Sequence, residues 1–220
     1  MRLMGCLMVA ACLVPLLLSQ PAQAADKPVV LFAFGDSLTA GYGLSQPQSF
    51  TVRLQQALEA RGRNVTIING GVSGDTSAQG LARLDWSLPP DAAAAIVEFG
   101  ANDAFRGVPP DVMKANLDQI VAKLTGHGLA VMVAGMKAPR NLGPEYAEPF
   151  DRAFAEVAAR HQAVLYPFFL DGVIMDPQLN QPDSIHPNAK GVDVIVARIL
   201  PAVETLLDRI GPDGKRLPAP

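Results

Sequence analysis

Residues 29–43 read Val29-Val30-Leu31-Phe32-Ala33-Phe34-Gly35-Asp36-Ser37-Leu38-Thr39-Ala40-Gly41-Tyr42-Gly43, a continuous apolar run that breaks into a glycine-rich turn carrying a serine. Apolar residues in sequence, with no polar alternation, fit a strand covered on both faces, as in parallel sheets packed between helices. Four more such runs follow, at 65–69, 93–99, 129–135 and 163–168. Between and after them lie longer amphipathic stretches at 50–61, 77–86, 110–124, 145–160 and 189–207. In the first of these Phe50, Leu54, Ala57 and Leu58 share a face, while Gln55, Gln56 and Glu59 point elsewhere. Pro110 suits a first helical turn, where its missing N–H costs nothing.

Strands joined by helical crossovers must run parallel, and the crossovers must be right-handed. The expected architecture is therefore an α/β, three-layer, doubly wound domain with a five-stranded parallel sheet in the flavodoxin-like order 2-1-3-4-5. A chain of 220 residues that is 49% hydrophobic supports one such domain, expected over residues 25–210.

The first 24 residues read as an export signal. Arg2 gives a positive start, residues 7–18 are mostly apolar, and Ala22-Gln23-Ala24 supplies small residues for cleavage after Ala24. A membrane anchor is the competing reading, but Pro15 interrupts the run and Ser19-Gln20-Pro21 ends it short of the ~20 apolar residues a span needs. Val9-Ala10-Ala11-Cys12 resembles a lipoprotein processing site with Cys12 lipidated, which ranks second because it would leave residues 13–18 exposed. A periplasmic or secreted chain starting at Ala25 would hold no cysteine and 17 basic against 21 acidic residues, a net charge of −4 with histidines neutral. That balance gives no reason to expect a nucleic-acid partner. Residues 211–220 carry three prolines and two glycines with little apolar content, so a frayed tail is expected.

In an open parallel sheet functional groups collect at the carboxyl ends of strands, beside the point where strand order reverses. After the first strand comes Ser37; after the second, Gly70-Gly71-Val72-Ser73-Gly74-Asp75-Thr76; after the third, Gly100-Ala101-Asn102-Asp103. The order 2-1-3-4-5 makes these three strands neighbours, so Ser37, Gly74 and Asn102 should line one rim. Between the fifth strand and the last helix, Pro182-Asp183-Ser184-Ile185-His186-Pro187 sets an aspartate and a histidine three residues apart.

Serine is a weak nucleophile until a base takes its proton, and imidazole is suited to that at ordinary pH. A carboxylate on the other ring nitrogen fixes the tautomer and stabilises the imidazolium. Ser37 is thus the candidate nucleophile, His186 its base and Asp183 the orienting carboxylate. The Ser37 and Gly74 N–H groups and the Asn102 amide are candidate oxyanion donors, each worth about 2.7 to 4 kcal/mol in a transition state.

Taken singly, each piece has a plainer reading. Ser37 could belong to an ordinary strand-to-helix turn, and Gly-x-Asn-Asp can be turn chemistry. Their convergence at successive strand ends carries the argument. Ser73 is not a nucleophile elbow, because residue 75 is Asp. The glycines at 41 and 43 lack the Gly-Lys-Ser/Thr ending of a phosphate loop. His127 and His161 follow predicted helices and are expected only to favour their dipoles. With no closely spaced ligand pair, no metal and no cofactor are expected.

The four segments resemble, in order and spacing, the conserved blocks of the SGNH (GDSL) hydrolase family over about residues 29–207. The resemblance implies Ser37, Gly74 and Asn102 as nucleophile and oxyanion residues, with Asp183 and His186 completing a triad. The stretch 71–84, Phe105-Arg106-Gly107 and Pro167-Phe168-Phe169 are most similar to the bacterial arylesterase, thioesterase I and lysophospholipase L1 subgroup, whose members are typically periplasmic. In that subgroup the loop after the fourth strand helps hold acyl chains. Here it is residues 136–146, which makes Pro139, Asn141, Leu142 and Tyr146 candidate substrate contacts, although Lys137, Arg140 and Glu145 give it more charge than an acyl wall needs.

The expected activity is hydrolysis of carboxylic esters or thioesters through an acyl-enzyme, on a small-molecule acyl ester, by a monomer with no stable membrane insertion. The same machinery would serve a carbohydrate O-acetyl esterase or acyltransferase. A non-catalytic lipid carrier would need the cleft but not the five active groups.

Overall fold

The computed structural model describes residues 27–211 and 214–217. The expectations for the export segment, including Cys12 and cleavage after Ala24, lie outside the described residues. Five parallel strands form one sheet, β1 (Val29–Gly35), β2 (Val65–Gly71), β3 (Ala92–Glu98), β4 (Ala130–Ala134) and β5 (Val164–Tyr166), in the order β2-β1-β3-β4-β5. This is the doubly wound α/β arrangement with the order read from the sequence.

Among the described residues seven α-helices accompany the sheet: α1 (Ser37–Ala40), α2 (Phe50–Glu59), α3 (Ser77–Ser87), α4 (Ala101–Phe105), α5 (Pro110–Gly126), α6 (Pro144–Arg160) and α7 (Ala189–Leu207). α2 packs against α7, while α5 packs between α3 and α6. Right-handed crossovers require this split: stepping from β1 to β2 runs opposite to stepping from β2 through β5, so the connecting helices fall on opposite faces.

Helix starts follow local chemistry. The Thr76 hydroxyl accepts from the Gln79 N–H and the Gln79 side chain accepts from the Thr76 N–H, a reciprocal cap on α3. Asn188 Oδ1 takes the Lys190 and Gly191 N–H groups at the start of α7.

The core lies between the sheet and both helix layers. Leu31 to Phe34 of β1 and all of β4 are buried. Phe34 meets Phe99 edge-on at 5.0 Å, and Phe50 meets Phe169 likewise at 5.0 Å across the other face. β2 departs from the expectation that every strand is covered twice. It is the edge strand, and Ile68 and Asn69 are exposed. The tail also departs from its expected fraying in the part described: Leu217 N–H donates to Arg209 O, Arg216 N–H to Gly128 O, and Gly211 N–H to Lys215 O. His161 does more than face a helix dipole, since its Nε2 lies 2.9 Å from Asp118 Oδ1.

The end of β2 is fitted against the turn that carries Ser37. A Cβ on Gly71 would lie 2.2 Å from the Ala40 backbone nitrogen, which cannot swing away as a side chain could. Gly71→Ala is therefore expected to lower stability by about 1–3 kcal/mol, as overpacking does, and to lower activity with it. Urea unfolding followed by circular dichroism measures the first effect, and a midpoint equal to the wild type contradicts this packing.

Candidate active site

Three strand ends and one late loop build the site. β1 runs straight into α1, whose first residue is Ser37. Asp36 precedes it, fully buried, with Oδ1 accepting from the Leu38 N–H at 3.0 Å. α1 stops after one turn because Gly41 takes φ +83° and donates back to Ser37 O. The serine is thus held on a short rigid corner at the sheet edge.

The late loop delivers the imidazole. Ser37 Oγ lies 2.9 Å from His186 Nε2, and His186 Nδ1 lies 2.6 Å from Asp183 Oδ2. Asp183 Oδ1 accepts from the Ile185 and His186 N–H groups at 2.9 and 3.0 Å, so the carboxylate closes the turn that presents the ring. Ser184 sits between them at φ +59°, a left-handed conformation uncommon for serine. Partial burial alone would raise the Asp183 carboxyl, but the N–H bonds from His186 and Ile185 and the nearby imidazole outweigh it and hold the pKa at about 2.

A second connection ties this loop to the serine corner. Gln181 Nε2 donates to Tyr42 O at 2.7 Å and to Pro187 O at 3.0 Å, while the Gln181 N–H donates to His186 O at 2.7 Å. The Tyr42 ring lies 4.6 Å from the imidazole centroid. Gly43, at φ +72°, leaves the room this requires: a Cβ there would fall 2.1 Å from Gln181 Oε1. None of these three was picked out as a site residue by pattern reading, since a glutamine 139 positions from its partner leaves no local signature.

The strand ends beside Ser37 supply donors. Among the described residues neither the Ser37 nor the Gly74 N–H has an intramolecular acceptor. Gly74 adopts φ +87°, and a Cβ there would meet nothing nearer than Arg106 at 3.9 Å. The glycine is required for its backbone conformation. Asn102, in the first turn of α4, spends both amide protons, donating to Asp36 Oδ2 at 2.9 Å and to Asp75 O at 3.0 Å. Behind it Arg83 is buried, with Nε 2.6 Å from Asp75 Oδ2, NH2 2.9 Å from Gly35 O, and its guanidinium 4.4 Å above the Phe34 ring.

Beside the Ser37–His186 pair opens a cleft of about 780 Å³. Of the four candidate substrate contacts, Pro139 lines it. Asn141 and Leu142 are not among its walls, and Tyr146 turns away, its hydroxyl donating to Val108 O at 2.7 Å and its ring stacked on Phe150. The walls that pattern reading missed are Phe105, Phe168, Ile174, Met175 and Ile185. Their signal is residual exposure: Met175 is 81% exposed and Phe105 58%, a cost that an apolar ligand in the cleft would relieve. Two charges of the 136–146 loop, both on the wall of the cleft, have partners. Lys137 Nζ lies over the Phe168 ring at 5.0 Å, and Arg140 pairs with Asp151 at 2.6 Å.

Because Gln181 fixes the imidazole loop to the serine corner, Gln181→Ala is expected to lower kcat for an activated ester by roughly tenfold or more, with KM little changed. Steady-state kinetics read this directly, and an unchanged kcat contradicts the clamp.

Comparison with known proteins agrees with this geometry. The model of the GDSL-like Lipase/Acylhydrolase family matches residues 33–194. Esterase TesA of Pseudomonas aeruginosa is 37% identical over 205 residues, covering 93% of this chain and all of that protein. An arylesterase of Vibrio mimicus is 39% identical over 173 residues, covering 77% of this chain and 84% of that one. A crystal structure of TesA superposes with a TM-score of 0.77 at 36% identity, over 80% of this chain and 99% of that one. The chain belongs to the GDSL-like lipase/acylhydrolase family.

Proposed function

We propose that the protein is an exported serine esterase that hydrolyses carboxylic esters and thioesters with short to medium acyl chains, lysophospholipid-type esters among them, through an acyl-enzyme. The observation that carries this reading is the relay Ser37 Oγ to His186 Nε2 to Asp183, at 2.9 and 2.6 Å, opening onto an apolar cleft.

In this reading Ser37 Oγ attacks the acyl carbon as His186 Nε2 takes its proton, and Asp183 stabilises the imidazolium. The oxyanion is met by the Ser37 and Gly74 N–H groups, with Asn102 redirecting one of its two amide protons. The imidazolium then protonates the departing alcohol or thiol. Water, deprotonated by the same imidazole, releases the acid. Tyr42 and Gln181 keep the ring facing Ser37 throughout.

Two other readings use the same fold. A carbohydrate O-acetyl esterase or acyltransferase would need a polar acceptor surface, whereas Phe105, Phe168, Ile174 and Met175 favour an acyl chain. A lipid carrier has no use for a hydroxyl, imidazole and carboxylate at hydrogen-bond distances. Export with cleavage after Ala24 rests on the composition of residues 1–24. Among the described residues no helix is long and apolar enough to cross a membrane. The enzyme is proposed to act as a monomer, which sedimentation of the purified protein tests.

Ser37→Ala is expected to lower kcat on p-nitrophenyl esters by at least about 10³-fold without unfolding the protein. Wild-type turnover by that variant overturns the reading. Across a series from acetate to palmitate the rate should rise from acetate to a medium chain and then fall, and a maximum at acetate would count against an acyl-filled cleft.

A further inference from the structure

Two carboxyl groups lie behind the serine corner, at the ends of adjacent strands. Gly35 pairs with Glu98 across β1 and β3, so Asp36 follows directly beside Glu98. Both side chains are completely buried. None of the ion pairs among the described residues includes either of them.

Among the described residues, the charged groups that face the pair include no free cation. From α3, Arg83 is neutralised by Asp75. From α4, Asp103 takes the Ser77 N–H and hydroxyl at 2.8 and 2.6 Å. From the late loop, His186 is paired with Asp183. Among the described residues no cation remains for two buried anions, and of two carboxyl groups sharing such a site one is driven to keep its proton.

The donors show where a single charge rests. Asp36 accepts a backbone N–H on Oδ1 and the Asn102 amide on Oδ2. Glu98 Oε2 accepts from the Thr39 hydroxyl at 2.8 Å and, at 3.4 Å, from the Asp36 N–H, while Oε1 has no partner. An un-ionised carboxyl tolerates an unpartnered oxygen far better than a carboxylate does. We propose that Asp36 and Glu98 hold one proton between them, carried on Glu98, which leaves Asp36 as the anion that positions the Asn102 amide at the oxyanion wall.

Burial works in the same direction. It pushes Glu98 well above the usual carboxylate range, with the Asp36 charge adding to the shift. It raises Asp36 only to about 6, because the Leu38 and Asn102 donors oppose it. At neutral pH and above the site therefore carries one anion beside the developing oxyanion in place of two. Glu98 is a positioning residue that acts through Asp36, and Asp36 one that acts through Asn102. This role rests on reading Asn102 as an oxyanion donor, but the proton itself can be observed without any turnover.

The test is infrared spectroscopy of the full chain at pH 8, with and without ¹³C-carboxyl-labelled glutamate. A carbonyl band of an un-ionised carboxyl that shifts on glutamate labelling is expected, and needs no variant to fold. No such band, or one that moves only on aspartate labelling, overturns the proposal. Urea unfolding gives a second reading. Folded wild type keeps a proton that the unfolded chain has lost, so from about pH 6.5 to 8.5 its unfolding constant should rise relative to Glu98→Gln by about tenfold per pH unit. A ratio independent of pH contradicts it. In kinetics Asp36→Asn should lower kcat by about a hundredfold with KM little changed. Glu98→Gln should restore most of the kcat that Glu98→Ala loses, and equal losses in the two would contradict a neutral Glu98. Inactivity of the wild type would defeat the esterase reading while leaving the infrared result intact.

Discussion

The carboxyl end of β1 is flanked on both sides by parallel strands, and the site depends on that constraint. Register pairs Gly35 with Gly71 on one side and with Glu98 on the other. The loops leaving β2 and β3 therefore emerge beside the turn that holds Ser37. Strand order reverses here, β2 being added on one side of β1 and β3 to β5 on the other, and this opens the crevice, as in other doubly wound sheets. The close fit of Gly71 on Ala40 is the cost of bringing three strand ends so near together.

Much of this was legible in the sequence because the signals are local. Unbroken apolar runs mark strands, 3.6-residue stripes mark helices, and Asp-x-x-His closes within one turn. Even α6 and α7, each with an internal proline at Pro149 and Pro201, were readable, because the apolar stripe on both sides of each proline outlasts one missing hydrogen bond. The exposure of β2 followed from the strand order but not from its composition: Ile67 and Ile68 look like core residues, yet an edge strand is left partly uncovered.

What stayed hidden is non-local. Gln181 acts on Tyr42, Arg83 reaches Gly35, and Glu98 meets Asp36 and Thr39, each across dozens of residues. The walls of the cleft were misjudged for the same reason. The 136–146 loop supplies Pro139, but Asn141 and Leu142 stand aside and Tyr146 is drawn off by Val108 O. The 174–175 turn, distant in sequence, takes their place. Asp36 caps α1 in the structure, a role not read from the sequence. Only its burial beside a second carboxyl and its bond to Asn102 reveal the wider network.

The proposed reaction turns on Ser37 as the activated nucleophile. A p-nitrophenyl phosphonate ester tests this most directly, since it is attacked like an acyl ester but leaves a stable tetrahedral adduct in place of a labile acyl group. The purified protein, treated with excess reagent, is followed by intact mass, peptide mapping and residual esterase activity. One phosphonyl group per chain is expected, on Ser37, with activity lost in proportion to labelling. Activity that survives stoichiometric labelling, or that is lost through an adduct on any other residue, would contradict it.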